Sequence, residues 1–264
     1  MKIIAHTLVH NEENFIWFVL SSVVSLVDKI MVWDTGSDDR SVEIVKLIAK
    51  KYPGKIKFKE IGEVDADGVT LARQKMLERS DCDWILILDG DEVWTKLGIK
   101  ELTYVIKKEG KNLDCVVVPF YNLVGDIYHF QEEIAGQYSF GKRKGHLQVK
   151  AINRKIKGLH VERAYPLEGY FDGSGRLVQE SRKIKFIKTP YFHLTHLKRS
   201  SRIRKFKKYK LELGESFSND FKYPEVFSSD YPGFIRNPWK KMSTRSFLLA
   251  SAVTPFKKIK RRIK

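Results

Sequence analysis

The run Trp84-Ile85-Leu86-Ile87-Leu88, followed at once by Asp89-Gly90-Asp91-Glu92, constrains this chain more than any other stretch. Five bulky apolar residues without alternation describe a strand buried on both faces, as in a parallel sheet. Such a strand ends at the sheet's carboxyl edge, where open α/β folds bind ligands. Three carboxylates in four positions repel one another unless a cation stands among them, and hard oxygen ligands suit Mg²⁺ or Mn²⁺. Gly90 permits a tight turn that lets Asp89 and Asp91 face one cation. The plainer alternative is an acidic turn capping a helix that starts near Thr95. The buried strand in front shifts the balance toward a metal-phosphate site.

The preceding residues repeat the theme. Residues 2–9 read as a first strand and 11–26 as a helix, with Phe15, Val19, Val23 and Leu26 at helical spacing. Residues 29–33 form a second strand, ended by the turn formers Asp34-Thr35-Gly36-Ser37-Asp38-Asp39. A helix over 42–51, a break at Pro53-Gly54, a strand over 55–61 and a helix over 69–79 lead into the buried strand. This alternation implies right-handed βαβ units and a Rossmann-like, mostly parallel sheet with helices on both faces. No GxGxxG follows the first strand, which argues against a dinucleotide site. Beyond residue 109 the pattern changes. Strands are predicted over 114–121, 146–152 and 184–187 around a Gly- and aromatic-rich middle, and helix returns over 199–213.

Composition narrows the partners. The net charge of +17 calls for an anionic one: nucleotide, phospholipid, polyanion or nucleic acid. The cations gather late, in KRSSRIRKFKKYK over 198–210 and KKIKRRIK at the end, while the acidic clusters lie between residues 34 and 91. No apolar stretch approaches the roughly 20 residues of a membrane span, and Asn11, Glu12 and Glu13 interrupt any signal-like core. Cys82 and Cys115, the only cysteines, read as buried thiols in a reducing, cytoplasmic compartment.

Together these motifs resemble the GT-A glycosyltransferases of family 2. His10-Asn11-Glu12-Glu13 stands where that family has an NEE-type turn, and Asp34 to Asp39 where it has a DDGSTD-like loop. Ala72-Arg73-Gln74 matches an A-R-N element, and Asp89-Gly90-Asp91 the DXD motif. The form of the last motif is similar to the branch that builds lipopolysaccharide cores and other surface glycans. The resemblance implies a nucleotide-sugar-binding half over 1–121, an acceptor-side and catalytic half over 122–197, and a basic helical extension over 198–264. It implies a UDP- or GDP-sugar donor, Mg²⁺ or Mn²⁺, an inverting mechanism and a glycan or lipid-linked acceptor. Asp34 would accept hydrogen bonds from the nucleobase edge, Leu8 and His10 would shape the base and ribose pocket, and Asn11, Glu12 and Gly90 would belong to the donor site. Arg73 would contact the diphosphate or organise the acidic loop. Asp91 would bind the cation, with Asp89 contacting ribose or a metal-bound water. Thr35 and Gln74 depart from the family's Asp and Asn.

The second half offers less. Gly158-Leu159-His160-Val161-Glu162 resembles a G-x-x-H-E region with one residue inserted, which puts Glu162 forward as acceptor base, with Asp172, Glu132 and Glu133 as competitors. A late histidine of the family completes the metal shell. In an extended 191–196, His193 and His196 would point to opposite faces, so at most one of them would meet the cation. His196 is favoured because Lys198 and Arg199 follow it. Arg202 and Lys205 would face the donor from a helix whose other cations are solvated. The apolar patch before Lys257, Lys258, Lys260, Arg261, Arg262 and Lys264 suggests a peripheral position on the inner face of the cell membrane. A disordered basic tail is the alternative. Two competing functions remain. A basic nucleic-acid-binding protein would explain the charge but leave Asp34, Asp89 and Asp91 without purpose. A nucleotidyltransferase would carry a Gly-rich basic loop where His10-Asn11-Glu12-Glu13 stands.

Overall fold

The computed structural model describes residues 1–202 and 211–263. In its first half, strands and helices alternate: β1 (Ile3–Val9), α1 (Ile16–Val23), β2 (Lys29–Asp34), α2 (Ser41–Lys51), β3 (Ile56–Glu60), α3 (Ala66–Glu78) and β4 (Trp84–Ile87). The four strands run parallel in the order β3-β2-β1-β4. Alternation along β1 sorts the two faces of this sheet. Ile3, Ala5 and Val9 join the core that holds α1 and α2, while Ile4 packs with Met31, Trp33 and with Ala72 and Met76 of α3 on the other side. Helices therefore cover both faces, which is why Ile85 and Leu86 of β4 are both fully buried.

The second half completes the sheet. It supplies β5 (Glu92–Val93), α4 (Lys96–Glu109), β6 (Cys115–Val124), β7 (His129–Phe130), β8 (Tyr138–Phe140), β9 (Arg143–Gly145) and β10 (Leu147–Asn153). After these come β11 (His160–Glu162), β12 (Gly169–Phe171), β13 (Ile184–Phe186), β14 (Tyr191–His196), β15 (Glu215–Ser216) and α5 (Thr244–Ile263). β10 lies antiparallel between β4 and β6, and β14 runs parallel to β6 while pairing with β5. Thr95 caps α4, its hydroxyl accepting from the Gly98 N–H at 3.0 Å.

Two helix expectations are corrected. The helix expected over 11–26 begins only at Ile16, because Asn11 to Glu13 bind the acidic loop instead. Asn11 sits at φ 57, and its Oδ1 accepts the Asp38 and Asp39 N–H groups at 3.0 and 3.3 Å. The helix expected over 199–213 does not start at Arg199. Residues 199–202 are irregular, and the Arg199 carbonyl accepts from the Asn14 N–H at 3.0 Å, which straps this segment to the turn after β1.

Candidate active site

The turns after β1, β2 and β4 face β14 and its continuation across a cleft of about 820 Å³. Leu8, His10, Glu12, Thr35, Arg73, Asp89, Gly90 and Asp91 line it from the first half, and His193, His196 and Arg199 from the second. A cavity of about 500 Å³ adjoins it, and Arg73, Asp89, Tyr138, Gln148 and Glu168 belong to both. Gly90 is needed for its lack of a side chain, since a Cβ there would stand 2.8 Å from the Glu12 Cγ.

Asp89 and Asp91 do not share one partner set. Asp89 accepts from Arg73 at 2.9 Å and lies 3.6 Å from the Lys150 ammonium. Burial would raise its pKa, but Lys150 and Arg73 together hold it well below the usual carboxylate range. Lys150, itself fully buried, also binds Glu92 at 2.7 Å. Burial pushes Glu92 up to about 7 despite that lysine. Asp91 instead faces His193 at 3.6 Å and Arg199 at 3.2 Å. The same guanidinium binds Glu12 at 2.6 Å. Burial opposes the charge of His193, and the Asp91 carboxylate overcomes it, so the imidazole pKa is raised.

The expectation that His193 and His196 face opposite ways fails, because the pairing of β14 with β6 shifts register between them. That irregularity brings both to the cleft, and His193 rather than His196 meets Asp91. The His196 Nε2 lies 3.5 Å from the Asn122 amide. Among the described residues no group of three or more His, Cys, Asp or Glu could hold a metal ion unaided. Asp91 and His193 nonetheless offer a carboxylate oxygen and an imidazole Nε2 that stand 3.6 Å apart, both residues lining the cleft. That partial shell fits a hard divalent cation whose other ligands are phosphate oxygens and water.

The loop residues divide by role. The Asp34 Oδ2 accepts the Gly36 and Ser37 N–H groups, both at 3.0 Å, and its buried Oδ1 has no partner among the described residues. Asn11 lies beneath the cleft as a brace rather than along its lining. The His10 Nδ1 is 3.0 Å from the Thr35 carbonyl.

The two carboxylates expected as acceptor base line neither cavity. In β11 the Val161 side chain is buried, so alternation turns Glu162 outward, 3.5 Å from His160. The Asp172 Oδ1 accepts from Ser174 and from the Arg176 N–H, which closes the turn after β12. Glu132 binds Arg261 and the Glu133 Oε1 accepts the His146 N–H. Lys198 is exposed, Arg202 reaches the Asp38 carbonyl at 3.1 Å, and Lys205 lies outside the described residues.

Glu168 is a carboxylate of the site that the sequence reading did not single out. It lines both cavities, lies 3.5 Å from the Arg73 Nε, and its Oε2 is buried without a partner among the described residues. The Arg73 Nε and Nη1 and the Tyr170 hydroxyl are also buried without a well-formed hydrogen bond there. Burial raises the Glu168 pKa, and Arg73 offsets only part of the rise. No periodic pattern surrounds Glu168 in the sequence. Lys150 did carry a signal, as a charge inside the strand expected over 146–152.

A parallel-sheet edge with an acidic turn and two adjoining cavities is the arrangement of a GT-A transferase. Comparison with known proteins agrees. The family model for glycosyl transferase family 2 matches residues 5–167, and the chain belongs to that family. It is 30% identical over 115 residues to the SPbeta prophage-derived glycosyltransferase SunS of Bacillus subtilis (strain 168), covering 43% of this chain. The match spans only 26% of SunS. Among solved structures, S. aureus TarS 1–349 in complex with UDP-GlcNAc superposes with a TM-score of 0.51 at 15% identity. That superposition covers 73% of this chain and 58% of TarS 1–349. Of the three readings left open by the sequence, membership of this family agrees with the first.

Proposed function

We propose that the chain moves a sugar, with inversion, from a UDP- or GDP-sugar to a hydroxyl of a glycan or lipid-linked acceptor. The observation that carries this is the meeting of two cavities at Arg73, Asp89 and Glu168, where one buried guanidinium joins two carboxylates beside the acidic turn. The donor would lie in the larger cleft, with the nucleobase near Asp34 and the diphosphate between Asp91 and Arg199. Asp91 and His193 would hold Mg²⁺ or Mn²⁺, which supplies positive charge to the departing diphosphate. The acceptor would enter through the smaller cavity. Glu168, rather than Glu162 or Asp172, would take the proton from its hydroxyl as that oxygen bonds to the anomeric carbon and the bond to phosphate breaks. A carboxylate with a raised pKa suits this task near neutrality. An acceptor of the lipid-linked kind would be met at an anionic membrane face.

Calorimetry of the full chain with UDP and GDP, with and without Mn²⁺, tests the donor reading. Turnover of a nucleotide-sugar panel tests the reaction, and the UDP-GlcNAc complex of TarS puts UDP-sugars first. Tight binding of a nucleoside diphosphate is expected. A chain that binds neither nucleotide would overturn the proposal.

A further inference from the structure

α5 presents two unlike faces. Ala250, Thr254, Lys257 and Arg261, spaced at helical intervals, turn toward the domain. Ala250 and Thr254 are buried, and the Thr254 hydroxyl accepts the Leu213 N–H at 2.8 Å. The Lys257 ammonium donates to the Leu211 carbonyl at 2.8 Å. Arg261 binds Glu212 through both terminal nitrogens, at 2.5 and 2.7 Å, and reaches Glu132 at 3.1 Å. Glu212 is fully buried, so this pair fixes which way the helix faces.

The other face is apolar and open. Leu248, Leu249, Phe256, Ile259 and Ile263 are all exposed, and Phe256 and Ile263 are 74% and 81% exposed. Leu248, Phe256, Ile259 and Ile263 recur at spacings of three, four and eight, which aligns them in one stripe. Lys258 and Arg262 flank the stripe on one side and Lys260 on the other. Of the six cations after Phe256, Lys257 and Arg261 are thus spent on docking the helix, and Lys264 lies outside the described residues. No described helix is long and apolar enough to cross a membrane.

We infer that the outer face of α5 docks on an anionic lipid bilayer, with Phe256, Ile259 and Ile263 in the headgroup boundary. Lys258, Lys260 and Arg262 then stand at the level of the phosphates. Charge decides the occupant. A second copy of the chain would bring identical cations together between two molecules of net charge +17. A nucleic acid would satisfy the cations but leave the apolar stripe in water. An anionic lipid surface satisfies both parts of the face, and neither part holds a protein on a membrane alone.

Co-sedimentation of the full chain with vesicles tests this without reference to turnover. Vesicles of equal parts phosphatidylglycerol and phosphatidylcholine should retain the protein at low salt, at least about tenfold better than phosphatidylcholine alone. The triple variant F256S/I259S/I263S should lose about tenfold or more of that binding. Its circular dichroism and melting temperature should match those of the parent, because these side chains touch little of the domain. The triple variant K258E/K260E/R262E should lose the salt-sensitive part. Failure of the parent to bind the anionic vesicles, or parent-like binding by the serine variant, would overturn the inference. So would light scattering that finds a dimer abolished by the serine substitutions.

Discussion

The two walls of the cleft treat their polar groups differently. On the wall made by the turns after β1 and β2, nearly every polar side chain is spent on the backbone beside it. Asn11 braces Asp38 and Asp39, Ser37 accepts the Asn11 N–H, and Ser41 accepts the Glu12 N–H. Only the Asp34 Oδ1 stays open there among residues whose contacts are fully described. Across the cleft, Arg73, Glu168 and Tyr170 are gathered side chain to side chain, Arg73 binding Asp89 at 2.9 Å and lying 3.5 Å from Glu168. The first wall is therefore a rigid, internally bonded frame, and the second is a cluster of buried ionisable groups beside the two cavities. Rigid placement matters because an ångström of slack in a reacting group is costly.

That contrast is broken most directly at Glu168. Glu168→Gln keeps the shape and removes the base, so kcat should fall by about 10²- to 10⁴-fold while the donor KM changes little. Glu162→Gln, on the outward face of β11, should leave both constants unchanged. Steady-state kinetics of the two variants decides, and a dead Glu162→Gln beside an active Glu168→Gln would reverse the assignment. The acid limb of the parent's pH–rate profile should lie above the usual carboxylate range, in keeping with the raised pKa of Glu168, and should vanish in the Gln variant.

Asp91 gives the next largest effect. Its carboxylate sees His193 and Arg199 but not the Arg73–Lys150 pair that holds Asp89. Asp91→Ala should erase the gain in nucleotide affinity that Mn²⁺ confers, a loss of about tenfold to a hundredfold. Calorimetry with and without the ion reads it. An unchanged Mn²⁺ effect would move the cation away from Asp91.

Much of this was legible before any coordinates. The parallel strands announced themselves because a strand buried on both faces needs an unbroken apolar run, as residues 84–88 show. The acidic turn and the Asp34 loop followed because each sits at the end of such a strand, whereas Arg73, inside α3, was reached only through the family resemblance. The second half resisted for a different reason. Its strands pair across long separations and carry irregularities, such as the shift between His193 and His196, that no periodicity records. Glu168 becomes a site residue only when the chain returns to α3, where Thr70 donates to the Arg163 carbonyl and Gln74 accepts the Val161 N–H. Contacts of that range leave no local pattern.

The frame itself can be loosened at Asn11. Asn11→Ala removes an acceptor of two backbone N–H groups and leaves a Cβ-bearing residue at φ 57 without its local bonds. The loss should be about 2–3 kcal/mol of stability. Urea unfolding measures it. Nucleotide affinity should fall as well, because Asp34 to Asp39 lose their brace. A variant with full stability and affinity would mean that the loop holds its shape unaided.

His6 separates an open atom that serves a ligand from one that does not. Its Nε2 shares a hydrogen bond of 2.5 Å with the Ser80 hydroxyl, which in turn lies 2.8 Å from the Met76 carbonyl. Its Nδ1 is buried without a partner among the described residues and faces neither cavity of the site. Burial, with Arg73 and Arg154 adding to it, lowers the imidazole pKa from 6.5 to about 3. The unfolded chain takes up a proton below about 6.5 that the native chain refuses until about 3, so the native state loses ground as the pH falls. The stability contributed by neutral His6 is complete above pH 6.5 and shrinks by about 2 kcal/mol by about pH 5. Urea unfolding at both pH values should show that loss in the parent and not in His6→Gln, which cannot take the proton. Equal losses in the two proteins would place a partner or water on Nδ1. Arg73, Glu168 and Tyr170 differ from it in one respect, since each of these residues lines at least one of the two cavities.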